Sequence, residues 1–149
     1  MRLMGLDVGD KTIGVAVSDE LGFAAHPVTV IRRTDSIRKD IGKVRELADE
    51  YGVSRIIVGI PIMLSGTTGV QAEKVLAFVE EMRKRIRTPI ETWDERLTTS
   101  EAERVLIETG HRREKRREII DKHAAAVILQ SYMDRQKAAS HSEEVQDEE

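Results

Sequence analysis

The stretch Leu3-Met4-Gly5-Leu6-Asp7-Val8-Gly9-Asp10-Lys11-Thr12-Ile13-Gly14-Val15-Ala16-Val17-Ser18 decides the fold. Two apolar runs, 3–8 and 12–18, flank a turn at Val8-Gly9-Asp10-Lys11, which predicts a pair of antiparallel strands. A third strand is expected over 28–31, just after Pro27. Three early strands with short links make an antiparallel meander.

Beyond this hairpin the hydrophobic period changes. Over 36–51, Ile37, Ile41, Val44, Leu47, Ala48 and Tyr51 recur at spacings of three and four, which predicts a helix stopped at Gly52. Residues 55–60 (Arg-Ile-Ile-Val-Gly-Ile) are a continuous apolar run, as in a strand covered on both faces, and Pro61 ends it. Gly66 and Gly69 mark a loop. Residues 71–86 read as a helix with Ala72, Val75, Leu76, Val79, Met82 and Ile86 on one stripe. A short strand follows at 90–95. Thr98-Thr99-Ser100-Glu101 is a capping box opening a helix that Gly110 closes, 111–117 is a basic loop, and 119–136 is the last helix. The order β-β-β-α-β-α-β-α-α predicts an α/β fold. Its five-stranded mixed sheet has the first three strands antiparallel and the last ones parallel, flanked by helices.

A chain of 149 residues holds one domain, expected over residues 1–137, and can bury a core without metal or disulfide. The absence of cysteine excludes a disulfide framework, a thiolate zinc site and a thiol nucleophile. No apolar run reaches a membrane-spanning length, and Asp7 interrupts the N-terminal apolar segment that a signal peptide would need. A soluble cytoplasmic protein with no membrane partner is expected. The net charge of −3 conceals an asymmetry. The last 13 residues hold five acids and one Lys, which leaves the body near +1, and 138–149 reads as a disordered acidic tail. Basic residues cluster at Arg83, Lys84, Arg85 and Arg87, and again at Arg112, Arg113, Lys115, Arg116 and Arg117. Such runs suit a phosphate backbone or, equally, a solvated helix face and loop.

Three acids stand in unusual places. Asp7 shares a strand face with Leu3 and Gly5 and lies where the strand ends, at the edge where open α/β sheets bind ligands. A turn-capping Asp is the alternative. Glu95 shares a face with Glu91 and Trp93 at the end of the fifth strand, with Asp94 on the other face. A plain surface acid is its alternative. Asp121 lies on one helical line with Ala124, Ala125 and Ile128, in a stripe widened by Leu129 and Tyr132. An acid on a core-facing stripe is costly unless paired or bound to metal. A salt bridge to Lys122 or an Arg is the alternative, although Lys122 points about 100° away. Small Ala124 and Ala125 would let this helix approach the sheet closely. Three converging carboxylates suit hard cations, Mg²⁺ or Mn²⁺. Beside basic runs, that chemistry suggests metal-dependent phosphodiester cleavage.

Four blocks carry a family resemblance. Gly5-Leu6-Asp7-Val8-Gly9 with Ile13-Gly14-Val15-Ala16-Val17-Ser18-Asp19 resembles the opening of the YqgF/RuvX family, of the RNase H-like superfamily. Gly59-Ile60-Pro61, Gly66-Thr67 and Gln71-Ala72-Glu73-Lys74-Val75 resemble its second block. Asp94-Glu95-Arg96-Leu97-Thr98-Thr99 resembles the third. Asp121 with Ala124-Ala125 and Ile128-Leu129-Gln130-Ser131-Tyr132 resembles the last. The likeness spans about residues 2–134. It implies an RNase H-like fold and a two-metal nuclease of structured nucleic acid that matures the 5′ end of pre-16S rRNA in ribosome biogenesis, with a further likeness to Holliday-junction resolvases. It implies metal-binding, catalytic roles for Asp7, Glu95 and Asp121. On this reading Lys11, Arg96, Arg112, Arg113, Lys115, Arg116 and Arg117 hold flanking phosphates of structured RNA or branched DNA, positioning the substrate without reading its sequence. A monomer or homodimer fits equally. Two departures stand out. Ile62-Met63-Leu64-Ser65 lacks the polar set expected after Gly-x-Pro. Ala124 occupies the place of a fourth acid found in resolvase relatives, with His123 beside it as a ligand, a proton shuttle or a boundary-face residue.

Two other readings remain. The Asp7-Val8-Gly9 turn also resembles the phosphate-binding hairpin of actin and sugar kinases, which use two such domains where this chain supplies one. A structured-RNA binding module without catalysis is the other. An aromatic content of 3% disfavours base-stacking platforms, so recognition should be salt-dependent and through shape.

Overall fold

The structure, a computed structural model, describes residues 1–61, 69–95 and 123–139. The expected 98–110 helix and its capping box, the 62–65 loop, Asp121, Arg96, the 112–117 basic run and the tail from 140 lie outside the described residues.

The chain runs β1 (Arg2–Val8), β2 (Thr12–Ser18), β3 (Ala25–Arg32), α1 (Ile37–Glu50), β4 (Val53–Ile60), α2 (Val70–Arg85) and β5 (Ile90–Asp94). A further helical stretch, α3, covers 123–139. The five strands form one sheet in the order β3-β2-β1-β4-β5. The first three are antiparallel, and β1–β4 and β4–β5 are parallel. This is the mixed sheet that the sequence pattern predicts. Among the described residues no helix is long and apolar enough to cross a membrane.

Side-chain alternation divides the core in two. Met4, Leu6 and Val8 of β1, Ile13, Val15 and Val17 of β2, and Ile56, Val58 and Ile60 of β4 face α1 and α2 in one cluster. Ala16 and Ile57, with Leu3 and Trp93, face α3 in the other. β4 is therefore covered on both faces, which is why it reads as an unbroken apolar run. Ser36 caps α1 by accepting from the Lys39 N–H, and Gly52, at φ 62°, turns the chain out of the helix in the left-handed region that glycine favours.

Besides a β4 that starts at Val53 rather than at 55, four details differ from the sequence expectation. β3 begins at Ala25 and runs through Pro27. It is an outer strand paired only to β2, so a missing N–H is tolerated, and the register shifts between Val15 and Ala16, opposite Pro27. In α2, Phe78 is buried where Leu76 was expected, and Leu76 is exposed. The Phe78 ring lies beneath the Arg33 guanidinium, 4.8 Å from ring centroid to charge. β5 ends at Asp94, so Glu95 is the first residue beyond it. The last helix continues past 136 to at least 139.

The most demanding polar group is Asp40, fully buried in the first turn of α1. Arg33 Nε donates to it at 3.3 Å, the Thr34 N–H at 2.9 Å and the Thr34 hydroxyl at 3.0 Å. Removing one partner of such a pair strands the other charge. Asp40→Ala is expected to cost about 3–5 kcal/mol and to lower Tm by roughly 10 °C or more in a thermal melt, whereas exposed Asp49→Ala should shift it little.

Candidate active site

α3 lies almost at backbone contact with the sheet. A Cβ on Gly5 would come within 2.7 Å of the Ala125 carbonyl and 2.8 Å of Leu129 Cβ. Gly5 sits opposite Ala16 across the hairpin, so the platform beneath α3 is made of small residues. Ala124 and Ala125 are buried at this approach, as their size suggested.

Further along the same face the sheet carries its acids. Asp7 lies one residue before the end of β1, paired with Gly14, and is half-buried. Glu95 leaves β5 with its N–H bonded to the Ile60 carbonyl at 3.2 Å. Its side chain lies across β4 above Gly59. A Cβ on Gly59 would meet Glu95 Oε2 at 2.5 Å and Ile128 Cδ1 at 2.4 Å. Gly59 is thus a cradle, and a Cβ there would force the Glu95 carboxylate and the Ile128 methyl to shift. β4 separates β1 from β5, and Glu95, lying across it, comes within electrostatic reach of Asp7. The Glu95 carboxyl is pushed up to about 7, first by burial and then by the negative charges of Asp7 and Asp94.

The β5–α3 seam fixes where Glu95 stands. Trp93 Nε1 donates to Ser131 Oγ at 3.2 Å, and its ring meets Tyr132 edge-on at 5.4 Å. The Tyr132 hydroxyl donates to Glu91 at 2.7 Å, and Arg55 bonds both Tyr132 and Glu91. Burial and the Glu91 carboxylate raise the Tyr132 pKa, which keeps that hydroxyl a donor. Gln130 joins α3 to the β2–β3 turn by accepting from Ala25 N–H and donating to the Phe23 carbonyl. The block Ile128-Leu129-Gln130-Ser131-Tyr132 is therefore the seam that seats α3.

Of the residues singled out from sequence, Asp7 and Glu95 come together, and Lys11 is exposed on the turn that follows Asp7. His123 is half-buried at the start of the described part of α3. The run at Arg83, Lys84 and Arg85 belongs elsewhere. These side chains pair with Glu80 and Glu81, and Arg83 also reaches the Ile90 carbonyl at the start of β5, the opposite end of that strand from Glu95. Asp121, Arg96 and the 112–117 residues lie outside the described set. Accordingly, among the described residues no three acids or histidines are grouped as a metal site. Two roles were not read from the sequence: that of Gly59, named only within a family block, and that of Arg33. Only the glycine within β4 hinted at a close approach.

The donor set suits a hard cation. Two half-buried carboxylates stand in one region, and the charge of Asp7 adds to burial in opposing ionisation of Glu95, which lies over a glycine that clears space for it. A divalent ion would relieve that repulsion.

The comparisons agree with this architecture. A protein from Desulforamulus reducens named "Putative pre-16S rRNA nuclease" is 57% identical over 134 residues, covering 90% of this chain and 97% of its own. One of the same name from Listeria innocua is 52% identical over 136 residues, covering 90% and 98%. Among solved structures, T. thermophilus RuvC in complex with a Holliday junction substrate superposes with a TM-score of 0.58 at 15% identity, covering 92% of this chain and 96% of that one. That similarity carries the fold, an RNase H-like α/β sheet. The sequence model of RuvX, described as "Holliday junction resolvase", matches residues 1–135, so this chain belongs to the RuvX family.

Proposed function

We propose that the chain is a divalent-metal-dependent nuclease of structured nucleic acid whose substrate is the 5′ region of pre-16S rRNA. The observation that carries this reading is the Glu95 carboxylate lying over Gly59 at the carboxyl edge of the sheet, within electrostatic reach of Asp7, whose charge helps burial push that carboxyl up to about 7. The names of relatives at about half identity favour the rRNA substrate. The description of the family model favours a second reading, cleavage of four-way DNA junctions.

Asp7 and Glu95, with Asp121 as a third ligand, would hold Mg²⁺ or Mn²⁺. Asp121 precedes by four residues Ala125, whose carbonyl lies over Gly5. When bound, such ions neutralise charge on the scissile phosphate and acidify an attacking water. The chain's own part is to hold the ligands. Gly59 clears the path for Glu95, the Trp93–Ser131–Tyr132 seam fixes β5, and the β1–β2 pairing fixes Asp7. Lys11, Arg96, Arg112, Arg113, Lys115, Arg116 and Arg117 would neutralise flanking phosphates. Hydrolysis on this scheme adds water at phosphorus and breaks the P–O3′ bond, leaving a 3′-hydroxyl on the upstream fragment and a 5′-phosphate on the downstream one. The nuclease domain would span residues 1–137.

The test is a side-by-side cleavage assay on a precursor rRNA 5′ fragment and a four-way DNA junction under Mg²⁺ and Mn²⁺. Asp7→Asn and Asp121→Asn should each lower cleavage by on the order of 10²-fold or more. Wild-type activity in either variant would overturn the assignment, and a preference for the junction would move the substrate to the second reading.

The raised Glu95 carboxyl sets a pH dependence of definite sign. A cation needs the carboxylate, so Mn²⁺ affinity should rise through pH 7, about tenfold from pH 6 to pH 8, and titration calorimetry should find that rise lost in Glu95→Gln. Without metal the sign for stability is opposite. Between pH 4.5 and 7 the folded chain keeps a proton that the unfolded chain has lost. This carboxyl therefore destabilises the fold increasingly as pH rises through that window, and Glu95→Gln should flatten the slope.

A further inference from the structure

The turn at 9–11 separates Asp7 from Lys11, and within the hairpin it is closed by the Gly9 N–H bonded to the Thr12 carbonyl at 2.8 Å. Two further holds reach it: an exposed ion pair from Lys74 of α2 to Asp10 at 3.4 Å, and Arg33, immediately after β3, which grips the turn's backbone. The Arg33 backbone N–H donates to the Lys11 carbonyl at 2.8 Å, and its Nη1 donates to the Gly9 carbonyl at 2.8 Å. The same guanidinium donates through Nε to fully buried Asp40 on α1 and lies over the ring of buried Phe78 on α2. One side chain thus joins the turn to both helices of the opposite face.

Only a planar fork can do this. Arginine presents several donors in fixed directions while its face stacks on a ring, whereas a lysine ammonium is a point charge without a stacking face. The Arg33 side chain is 19% exposed, and its charge is matched by Asp40. It is therefore poorly placed to bind a phosphate itself. What it controls is the position of the Gly9 carbonyl, two residues after Asp7 and two before Lys11.

We infer that Arg33 is a positioning residue for the proposed nuclease centre, holding the β1–β2 turn so that the Asp7 carboxylate and the Lys11 ammonium are presented to one substrate phosphate. This rests on the metal-nuclease reading above. Arg33→Lys keeps the charge beside Asp40 but loses the stack and the simultaneous hold on Gly9.

The experiment titrates Mn²⁺ into wild type, Arg33→Lys and Asp40→Asn by calorimetry, measures kcat and KM on the precursor rRNA fragment, and records a melt of each protein. The expected result for folded Arg33→Lys is Mn²⁺ affinity about tenfold weaker, the lower end of what lost outer support costs a metal site, with KM raised as Lys11 is displaced. Asp40→Asn should move both quantities the same way by less, and it decides the matter if Arg33→Lys does not fold. A merely structural role predicts a lower Tm with Mn²⁺ affinity and KM unchanged in the folded protein, and that result overturns the inference alone. A wild type that binds no Mn²⁺ overturns the metal-nuclease reading and the inference with it.

Discussion

A helix can rest on a β-sheet at backbone distance only where the sheet has no side chains beneath it. Gly5 and Gly59 provide those gaps on β1 and β4, and Ala125 and Ile128 of α3 occupy them. This close approach governs the rest of that face. It leaves a thin layer in which Trp93, Ser131 and Tyr132 interlock, and it fixes the exit of β5 from which Glu95 departs. Were α3 to stand farther off, the Glu95 carboxylate would be free to turn toward water, and its proximity to Asp7 would be lost.

The two faces of the sheet accordingly do different work. The α1–α2 face holds most of the aliphatic core and one fully satisfied buried charge, Asp40. The α3 face is smaller and carries Glu95, whose ionisation is opposed by burial and by the charges of Asp7 and Asp94. Strain of this kind at a site is offset by packing elsewhere. Arg33 links the two faces by tying the turn after Asp7 to the helices of the stable side.

Much of this was legible in the residues. The alternation in β1 placed Leu3, Gly5 and Asp7 on one face, and that in β5 placed Glu91, Trp93 and Glu95 together, because a strand's period of two leaves little freedom. The unbroken run of β4 announced a doubly covered strand. Other features were not legible, each for a physical reason. Asp40 in a first helical turn looks like a surface acid favoured by the helix dipole, and nothing local shows that Arg33 and Thr34 fold over it. Phe78 takes the core place expected of Leu76 because it lies three residues after Val75 and four before Met82, on the line of the buried stripe. Pro27 seemed to precede a strand rather than lie within one, since tolerance of a missing N–H depends on whether a neighbouring strand exists. The role of Gly59 depends on a side chain 36 residues away in a different strand connection.

Trp93 is the chain's single tryptophan, and it stands two residues before Glu95 with its indole locked between Ser131 and Tyr132. Its ultraviolet emission therefore originates at one seam of the molecule, with no second indole to dilute it. The fold carries an intrinsic optical gauge at the joint between β5 and α3, so loosening of that joint can be followed by fluorescence without attaching a dye.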